Sequence, residues 1–496
     1  MEKAILVASL KTPRSSVSEA LATLPDAVSW VEVRADLVGD LSPDRVRQSF
    51  RGGLLYTLRS RAEGGNSEAT GRERRQRLLH AAASYDLIDL EGERDLTPEI
   101  LHAIPPEKRL ISWQGPATDR EGFRSRFEQM ATVKARFYKL VSMAERPEDG
   151  REPLAFLKAL GRTDTVAFAT GRRGFWSRLL ALHLKAPLVF GTITESADEE
   201  PTIARLMQDY GLPDLTPVEA IYGIVGNPVT HSLSPRLHNA AYRALGHRAL
   251  YLPFEVDAFE DFWHEIIEDQ TLASMGFPVG GLTVVSPFKE AAQRIISKRS
   301  LVTQRAVSSN IFLRKNGSWT ADTTDAAGIL LTLARRGVEV KDKRIAIIGC
   351  GGSGRAMAAA LDEAGARVTL VNRGLERGYL AVQLLGLPFA PLSSFSPEGF
   401  SIVINATPVG RNDDTLPFAV ESLGDDAVVV DLVYRTHPTP LVDRTRALGR
   451  FAIEGREMLI VQVVHQFALM TGRQMPEDLV HELVGFRQET APPSLA

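Results

Sequence analysis

The run Arg136-Phe137-Tyr138-Lys139-Leu140-Val141 sets a lysine inside an apolar strand, where an ammonium is costly unless it is paired. Burial and cationic neighbours lower a lysine's pKa toward neutrality, and the free amine then attacks a ketone to form a Schiff base. A salt-bridged structural lysine is the alternative. In Val31-Glu32-Val33-Arg34-Ala35-Asp36 charged and apolar residues alternate, so Glu32, Arg34 and Asp36 share one strand face. Arg59 is followed by Glu63-Gly64-Gly65, and Asp89 and Glu91 stand two apart on another strand. Converging on one mouth, these acids and arginines suit an anionic, polyhydroxylated substrate; the other reading is a set of structural ion pairs.

A second constellation lies in the later half. Ser232 and Ser234, two apart before Pro235, can present hydroxyls to one ligand, and Ser234 with Pro235 also reads as a helix start with serine as N-cap. Lys343 to Ile348 reads as a strand, Gly349-Cys350-Gly351-Gly352-Ser353-Gly354 as a turn, and the Ala-rich run to Ala364 as a helix. The helix N-terminus would face a pyrophosphate. The next strand ends in Asn372-Arg373, where an NAD enzyme carries an acid for the ribose hydroxyls. An arginine there favours a 2′-phosphate, hence NADP. Cys350, the single cysteine, reads as a small packed residue.

The elements that must position these groups follow from the apolar runs. AILVASL, WVEVRADL, LLYTLR, YDLIDLEG, RLISWQG, ARFYKLVSM, TVAFATG and APLVFGTI alternate with helical stretches over the first 200 or so residues. That pattern predicts a (β/α)8 barrel with its chemistry at the C-terminal strand ends, an open doubly wound sheet being the alternative. A Pro-rich stretch, Leu212 to Pro217, closes it. At 496 residues the chain exceeds one ordinary core. The expected division is a barrel over 1–215, a substrate-binding α/β domain over 219–326 completed by helices in 455–496, and a Rossmann domain over 327–454.

A net charge of −3 supplies no field for a phosphate backbone, which argues against nucleic acid. One cysteine excludes an intrachain disulfide and any multi-Cys metal site, and no metal is expected. No run approaches the roughly 18 apolar residues of a membrane helix, and Ala4 to Leu10 is too short for a signal segment. These features lead to the expectation of a cytoplasmic protein acting on small molecules.

Over most of residues 1–210 the chain resembles type I 3-dehydroquinate dehydratases, through E-x-R-x-D at Glu32, Arg59 with the EGG turn, Asp-x-Glu at Asp89, strand lysine Lys139, and Ser177-Arg178. The resemblance implies that Lys139 forms an imine with the substrate ketone and that water is then eliminated to give 3-dehydroshikimate. It also implies that Glu32, Arg34, Arg59 and Arg178 hold substrate, with Asp89 and Glu91 in the polar shell. Two positions depart from the family. Its general-base histidine is replaced by Gln114 in Ser112-Trp113-Gln114. Glutamine takes up no proton at neutral pH, and loss of a positioned base typically costs about 10²–10⁴-fold. Ala197-Asp198-Glu199-Glu200 stands in place of the family's Ala-Pro-Gly-Gln lid. His80, His102 and His183 fall in helical stretches and offer no evident replacement.

Residues 219–496 resemble shikimate dehydrogenases, through His231-Ser232-Leu233-Ser234-Pro235, Ser286-Pro287-Phe288-Lys289, Asp322-Thr323-Thr324-Asp325 and Asn405-Ala406-Thr407. The resemblance implies Lys289 and Asp325 as the catalytic pair. It implies Ser232, Ser234, Tyr434 and Gln462 as substrate contacts, and Gly349, Gly351, Gly352, Ser353, Gly354, Asn372, Arg373, Asn405 and Thr407 as the NADP site. Departures cluster around the substrate: Val285, Thr323 and Ala326 replace polar or smaller residues of the family, and Ala306 to Asn310 replaces its Ala-Val-Asn-Thr. The expected activity is 3-dehydroquinate dehydration followed by NADPH-dependent reduction to shikimate. The alternatives are a dehydrogenase alone, for shikimate or a quinate-like acid, beside a degenerate barrel, and a non-catalytic sensor of these acids.

Overall fold

The computed structural model describes residues 2–11, 16–195 and 200–486. Of the lid stretch, Ala197 to Glu199 lies outside the described residues. The chain divides into two compact units, residues 1–223 with 228–279, and residues 224–227 with 280–496.

In the first unit eight parallel strands, Ile5–Leu10, Trp30–Arg34, Gly53–Thr57, Leu87–Glu91, Arg109–Gly115, Phe137–Met143, Thr165–Thr170 and Leu188–Thr192, alternate with helices as expected of a (β/α)8 barrel. The first seven strands pair with one another in sequence order, and the eighth pairs with the first, Ala8 opposite Gly191, which leaves Thr165–Thr170 and Leu188–Thr192 as the two ends of the ladder. Arg178, buried on the helix Phe175–Leu182, donates to the Phe190 carbonyl at 2.6 Å and the Thr170 hydroxyl at 3.3 Å, tying the eighth strand to the end of the seventh. The second strand is shorter than its alternation suggested. It stops at Arg34, and Ala35–Val38 forms a helical turn, so Asp36 is not a strand residue. The turn is closed by Gly39 N on Ala35 O at 3.1 Å, and from it Asp36 takes a bidentate pair from Arg34 at 2.9 and 2.8 Å.

The Pro-rich stretch is anchored rather than loose: Asp214–Leu215 pairs antiparallel with Glu2–Lys3, and Ala4 N donates to Pro213 O at 2.9 Å. The same unit carries the helix Ser234–Ala244, against which Asp209 binds Arg236 at 2.8 Å. Its N-cap is Leu233, not Ser234. The helix thus starts one position earlier than expected, and the Ser232 hydroxyl, two residues before Ser234, accepts from Ser234 N at 3.2 Å.

In the second unit six parallel strands run in the order Phe389–Pro391, Arg367–Asn372, Arg344–Ile348, Ile402–Asn405, Val428–Asp431, Phe451–Ile453. Strand order reverses at Arg344–Ile348, the place in a doubly wound sheet where ligands bind beyond the carboxyl ends. Ile345, Ile347, Leu370 and Ile404 fill the core on one sheet face, with Cys350 fully buried among them. The strand Ile311–Lys315 pairs antiparallel with Val279–Val284 and Ser318–Asp322. The helix Thr324–Arg335 packs on Gly455–Thr471, close enough that a Cβ on Gly328 would lie 2.8 Å from Gln462 Cγ. Among the described residues no helix is long and apolar enough to cross a membrane.

Candidate functional site

In the barrel, register puts Lys139 beside Ser112, and strand alternation puts Gln114 on the same face one step nearer the C-terminal mouth. Lys139 is 6% exposed; its Nζ lies 2.9 Å from Asp89 Oδ2, 3.9 Å from Glu32 Oε1 and 4.6 Å from the centre of the Phe190 ring. Glu32 is held by the hydroxyls of Ser9 and Thr57. Asp89 also accepts from Arg59 Nη2 at 2.6 Å and from the Ser112 hydroxyl. Arg59 and Lys139 more than offset its burial and hold Asp89 down to about 2. The lumen thus gathers Glu32, Arg59, Asp89 and Lys139, while Arg34 is bound to Asp36 and Arg178 to the Phe190 carbonyl and the Thr170 hydroxyl.

The Glu63-Gly64-Gly65 turn folds back over Arg59. Gly64 is left-handed at φ 77°, and a Cβ on Gly65 would lie 2.2 Å from the Arg59 carbonyl, so neither position accepts a side chain without strain. Glu63 Oε2 accepts from Arg59 Nη1 at 2.7 Å and from the backbone N–H of Gln114 at 3.0 Å. Burial, reinforced by the charges of Glu91 and Asp89, outweighs Arg59 and pushes Glu63 up to about 7. The histidines are remote in kind as well as place: His80 and His102 sit on helices, and His183, at a helix end, is pushed down to about 4 by burial.

In the second unit Lys289, the first residue of the helix Lys289–Ile295, reaches Asp325 Oδ2 at 2.6 Å and Ser353 Oγ at 2.7 Å. Asp325 Oδ1 accepts from Asn310 Nδ2 at 3.1 Å and Gln462 Nε2 at 2.8 Å. Asn310 Oδ1 in turn receives Thr324 N at 2.8 Å, and Gln466 Nε2 donates to the Thr324 hydroxyl at 2.9 Å. Three buried hydroxyls nearby in sequence, Ser308, Ser309 and Thr323, have no hydrogen-bond partner among the described residues. Ser232 and Ser234 belong to the first unit. Tyr434, 36% exposed, follows the strand Val428–Asp431 and has no hydrogen bond to this cluster among the described residues.

The glycine-rich turn fits a dinucleotide phosphate. Gly351 caps the helix Gly352–Glu363 with open space at its Cβ position, leaving the helix N-terminus accessible. Gly349 has φ 113°, and a Cβ on Gly354 would stand 1.9 Å from Gly349 O, so helix and strand approach as closely as the fold family requires. Asn372 accepts from Cys350 N at 3.2 Å and donates to Gly374 O at 2.8 Å, which leaves the exposed Arg373 at the strand end. Asn405 donates to Asp431 at 2.9 Å and receives the Thr407 hydroxyl at 2.6 Å, shaping its loop. Cys350 is inert in this setting, its thiol pushed up to about 11 by burial.

Two residues that hold these sites were not singled out from the sequence. Asn310 was legible only as part of an altered motif. Arg355, fully buried, was hidden in the Ala-rich helix. It donates to Ala306 O, Cys350 O and Val307 O and pairs with Glu290 at 3.1 Å, binding the glycine-rich turn to the segment beside Lys289.

A family model for type I 3-dehydroquinase matches residues 9–216, and one for the shikimate dehydrogenase substrate binding domain matches residues 224–311. Over 490 residues, 92% of this chain and 79% of the relative, the sequence is 26% identical to a bifunctional 3-dehydroquinate dehydratase/shikimate dehydrogenase, chloroplastic, from Arabidopsis thaliana. It is 35% identical over 267 residues to the shikimate dehydrogenase (NADP(+)) of Methanocella arvoryzae, covering 52% of this chain and 96% of that one. Among solved structures, shikimate 5-dehydrogenase from Thermus thermophilus in complex with NADP(H) and shikimate is 30% identical, covers 54% of this chain and 98% of its own, and has a TM-score of 0.48.

Proposed function

The chain belongs to the shikimate dehydrogenase family and carries a type I 3-dehydroquinase in front of it, and on that premise we propose how its residues divide two consecutive steps of the shikimate pathway. Residues 1–215 are the dehydratase barrel, 219–326 with 455–496 the substrate domain, and 327–454 the NADP domain. In the barrel, Lys139 condenses with the ketone of 3-dehydroquinate. Asp89 holds its nitrogen in the lumen, and Glu32 and Arg59 bind the hydroxyls and carboxylate.

In the second half, Lys289 donates a hydrogen bond and then a proton to the carbonyl oxygen of 3-dehydroshikimate, while Asp325, fixed by Asn310 and Gln462, keeps the lysine aimed. NADPH, when bound, supplies the hydride. Gly349, Gly351, Gly352, Ser353 and Gly354 receive its pyrophosphate, Arg373 its 2′-phosphate, and Asn405 and Thr407 form the loop beside its nicotinamide. The observation that carries this reading is the Lys289 ammonium held at once by Asp325 and by Ser353 of the glycine-rich turn, 2.6 and 2.7 Å away. It links the substrate chemistry to the cofactor loop in one contact.

The test is a pair of assays on the whole chain: 3-dehydroquinate followed at the enone absorbance, and 3-dehydroshikimate with NADPH followed by cofactor oxidation. Turnover in both is expected. Turnover in the second alone would remove the dehydratase assignment, and turnover in neither would remove both.

A further inference from the structure

The barrel holds the imine-forming lysine of a dehydratase but has Gln114 where proton abstraction requires a base, so the proton must go elsewhere. We propose that Glu63 is the proton acceptor of the barrel site in this chain. The inference rests on the Schiff-base role of Lys139 argued above.

Three observations carry it. Glu63 is adjacent to the vacated position itself, since its Oε2 accepts the backbone N–H of Gln114 at 3.0 Å. It is 5% exposed, yet its second oxygen, Oε1, has no hydrogen-bond partner among the described residues. A buried carboxylate oxygen left without a partner is costly, and a substrate C–H or hydroxyl is what remains to meet it. Finally, Glu63 is joined to the lysine through two shared groups: Arg59 binds Glu63 at 2.7 Å and Asp89 at 2.6 Å, and Asp89 binds Lys139 at 2.9 Å.

Electrostatics single out Glu63 among the carboxylates of this cluster. Asp89 takes both cations, Arg59 and Lys139, and is held well below the usual range. Glu91 has Arg94 at 2.8 Å, Arg74 at 3.5 Å and Arg59 at 3.6 Å, and Glu32 has two hydroxyls with Lys139 at 3.9 Å. Glu63 has only the share of Arg59 that remains and feels Asp89 and Glu91 as like charges. It is therefore poised near 7, where a general base is most effective at neutral pH.

The step balances without a further reactant. Lys139 and the ketone form an imine and release water. Glu63 carboxylate takes the proton from the carbon next to the imine, and the C–H pair becomes the enamine double bond. That pair then expels the hydroxyl one carbon further on, which takes the proton back from Glu63 and leaves as water. Hydrolysis of the imine consumes one water and frees the enone and Lys139.

The experiment compares wild type, Glu63→Gln, Glu63→Asp and the double variant Glu63→Gln with Gln114→His. Each is measured for elimination of 3-dehydroquinate and for borohydride trapping of the lysine adduct, which needs no base and reports a folded lumen. Wild-type kcat should rise with pH through about 7. Glu63→Gln should still trap the adduct while kcat falls about 10²–10⁴-fold. Glu63→Asp should keep the pH inflection at reduced rate, and the histidine variant should recover turnover. Adduct formation with near wild-type kcat in Glu63→Gln overturns Glu63 alone. Absence of an adduct in the wild type overturns the Lys139 reading beneath it. Should Glu63→Gln form no adduct, loss of the inflection in Glu63→Asp would likewise overturn the proposal.

Discussion

Lys289 Nζ stands 2.6 Å from Asp325 Oδ2, while the other oxygen of the same carboxylate is committed to Asn310 and Gln462. One oxygen aims the lysine and the other fixes the carboxylate, so the pair has little freedom of its own. Asp325→Asn keeps the shape and removes the charge that holds Lys289. The expected result is a kcat for 3-dehydroshikimate reduction lower by about 10²–10⁴-fold with unchanged NADPH affinity by fluorescence titration. A change of under threefold in kcat would mean that Lys289 works without it.

Arg373 is exposed at the end of Arg367–Asn372, where the ribose of a dinucleotide would lie. A charge-assisted hydrogen bond to a phosphate contributes about 1.5–3 kcal/mol, so Arg373→Ala should raise KM for NADPH about 10- to 150-fold. KM for NADH should hardly move, because that cofactor has no 2′-phosphate to lose. Equal losses for both cofactors would assign Arg373 to the fold of the loop instead.

Patterns that repeat along the chain were legible from sequence, and contacts made by a single side chain across it were not. Period-two alternation placed Glu32 inside a barrel, an ammonium in an apolar strand marked Lys139, and glycine spacing placed the cofactor turn. Alternation failed at Asp36, because the chain leaves the strand at Arg34 for the helical turn Ala35–Val38, closed by Gly39 N on Ala35 O. The Ser-Pro helix signal failed by one position: Ser234 is the first helical residue rather than the cap, its N–H held by the Ser232 hydroxyl. Arg355 was invisible: an arginine in an Ala-rich helix reads as a surface residue, yet three backbone carbonyls contributed by two separate segments satisfy it internally. Glu63 was seen only as part of a turn motif. Its role depends on how one guanidinium is shared among Glu63, Asp89 and Glu91, which only three-dimensional structure determines.

Gly354 tests the cofactor turn by packing rather than charge. A Cβ there would lie 1.9 Å from the Gly349 carbonyl oxygen, a backbone atom with no flexible end to yield. Gly354→Ala must therefore push the helix Gly352–Glu363 away from its strand, at about 1–3 kcal/mol. Thermal unfolding should fall, and the rise in Tm that NADPH gives the wild type should disappear. A retained NADPH shift would show that the turn tolerates a side chain at this point.

Glu63 and Asp89 make opposite contributions to the pH dependence of stability. Asp89 is depressed to about 2 from 3.8, so its stabilisation is present above 3.8 and lost as pH falls through about 2. Glu63 is raised to about 7 from 4.5. The fold favours its protonated form, so that contribution is complete below 4.5 and is lost as pH rises through about 7. Ionised Glu63 is thus a burden on the barrel, roughly 3 kcal/mol at pH 8 from the size of the shift. Glu63→Gln, which cannot ionise, should therefore unfold at a higher temperature than wild type at pH 8, with the difference shrinking as pH falls and vanishing near pH 4. Stability gained where elimination is lost would be the signature of a carboxylate held against its own electrostatics for the proton it takes. A variant less stable than wild type at both pH values would instead make Glu63 a structural partner of Arg59.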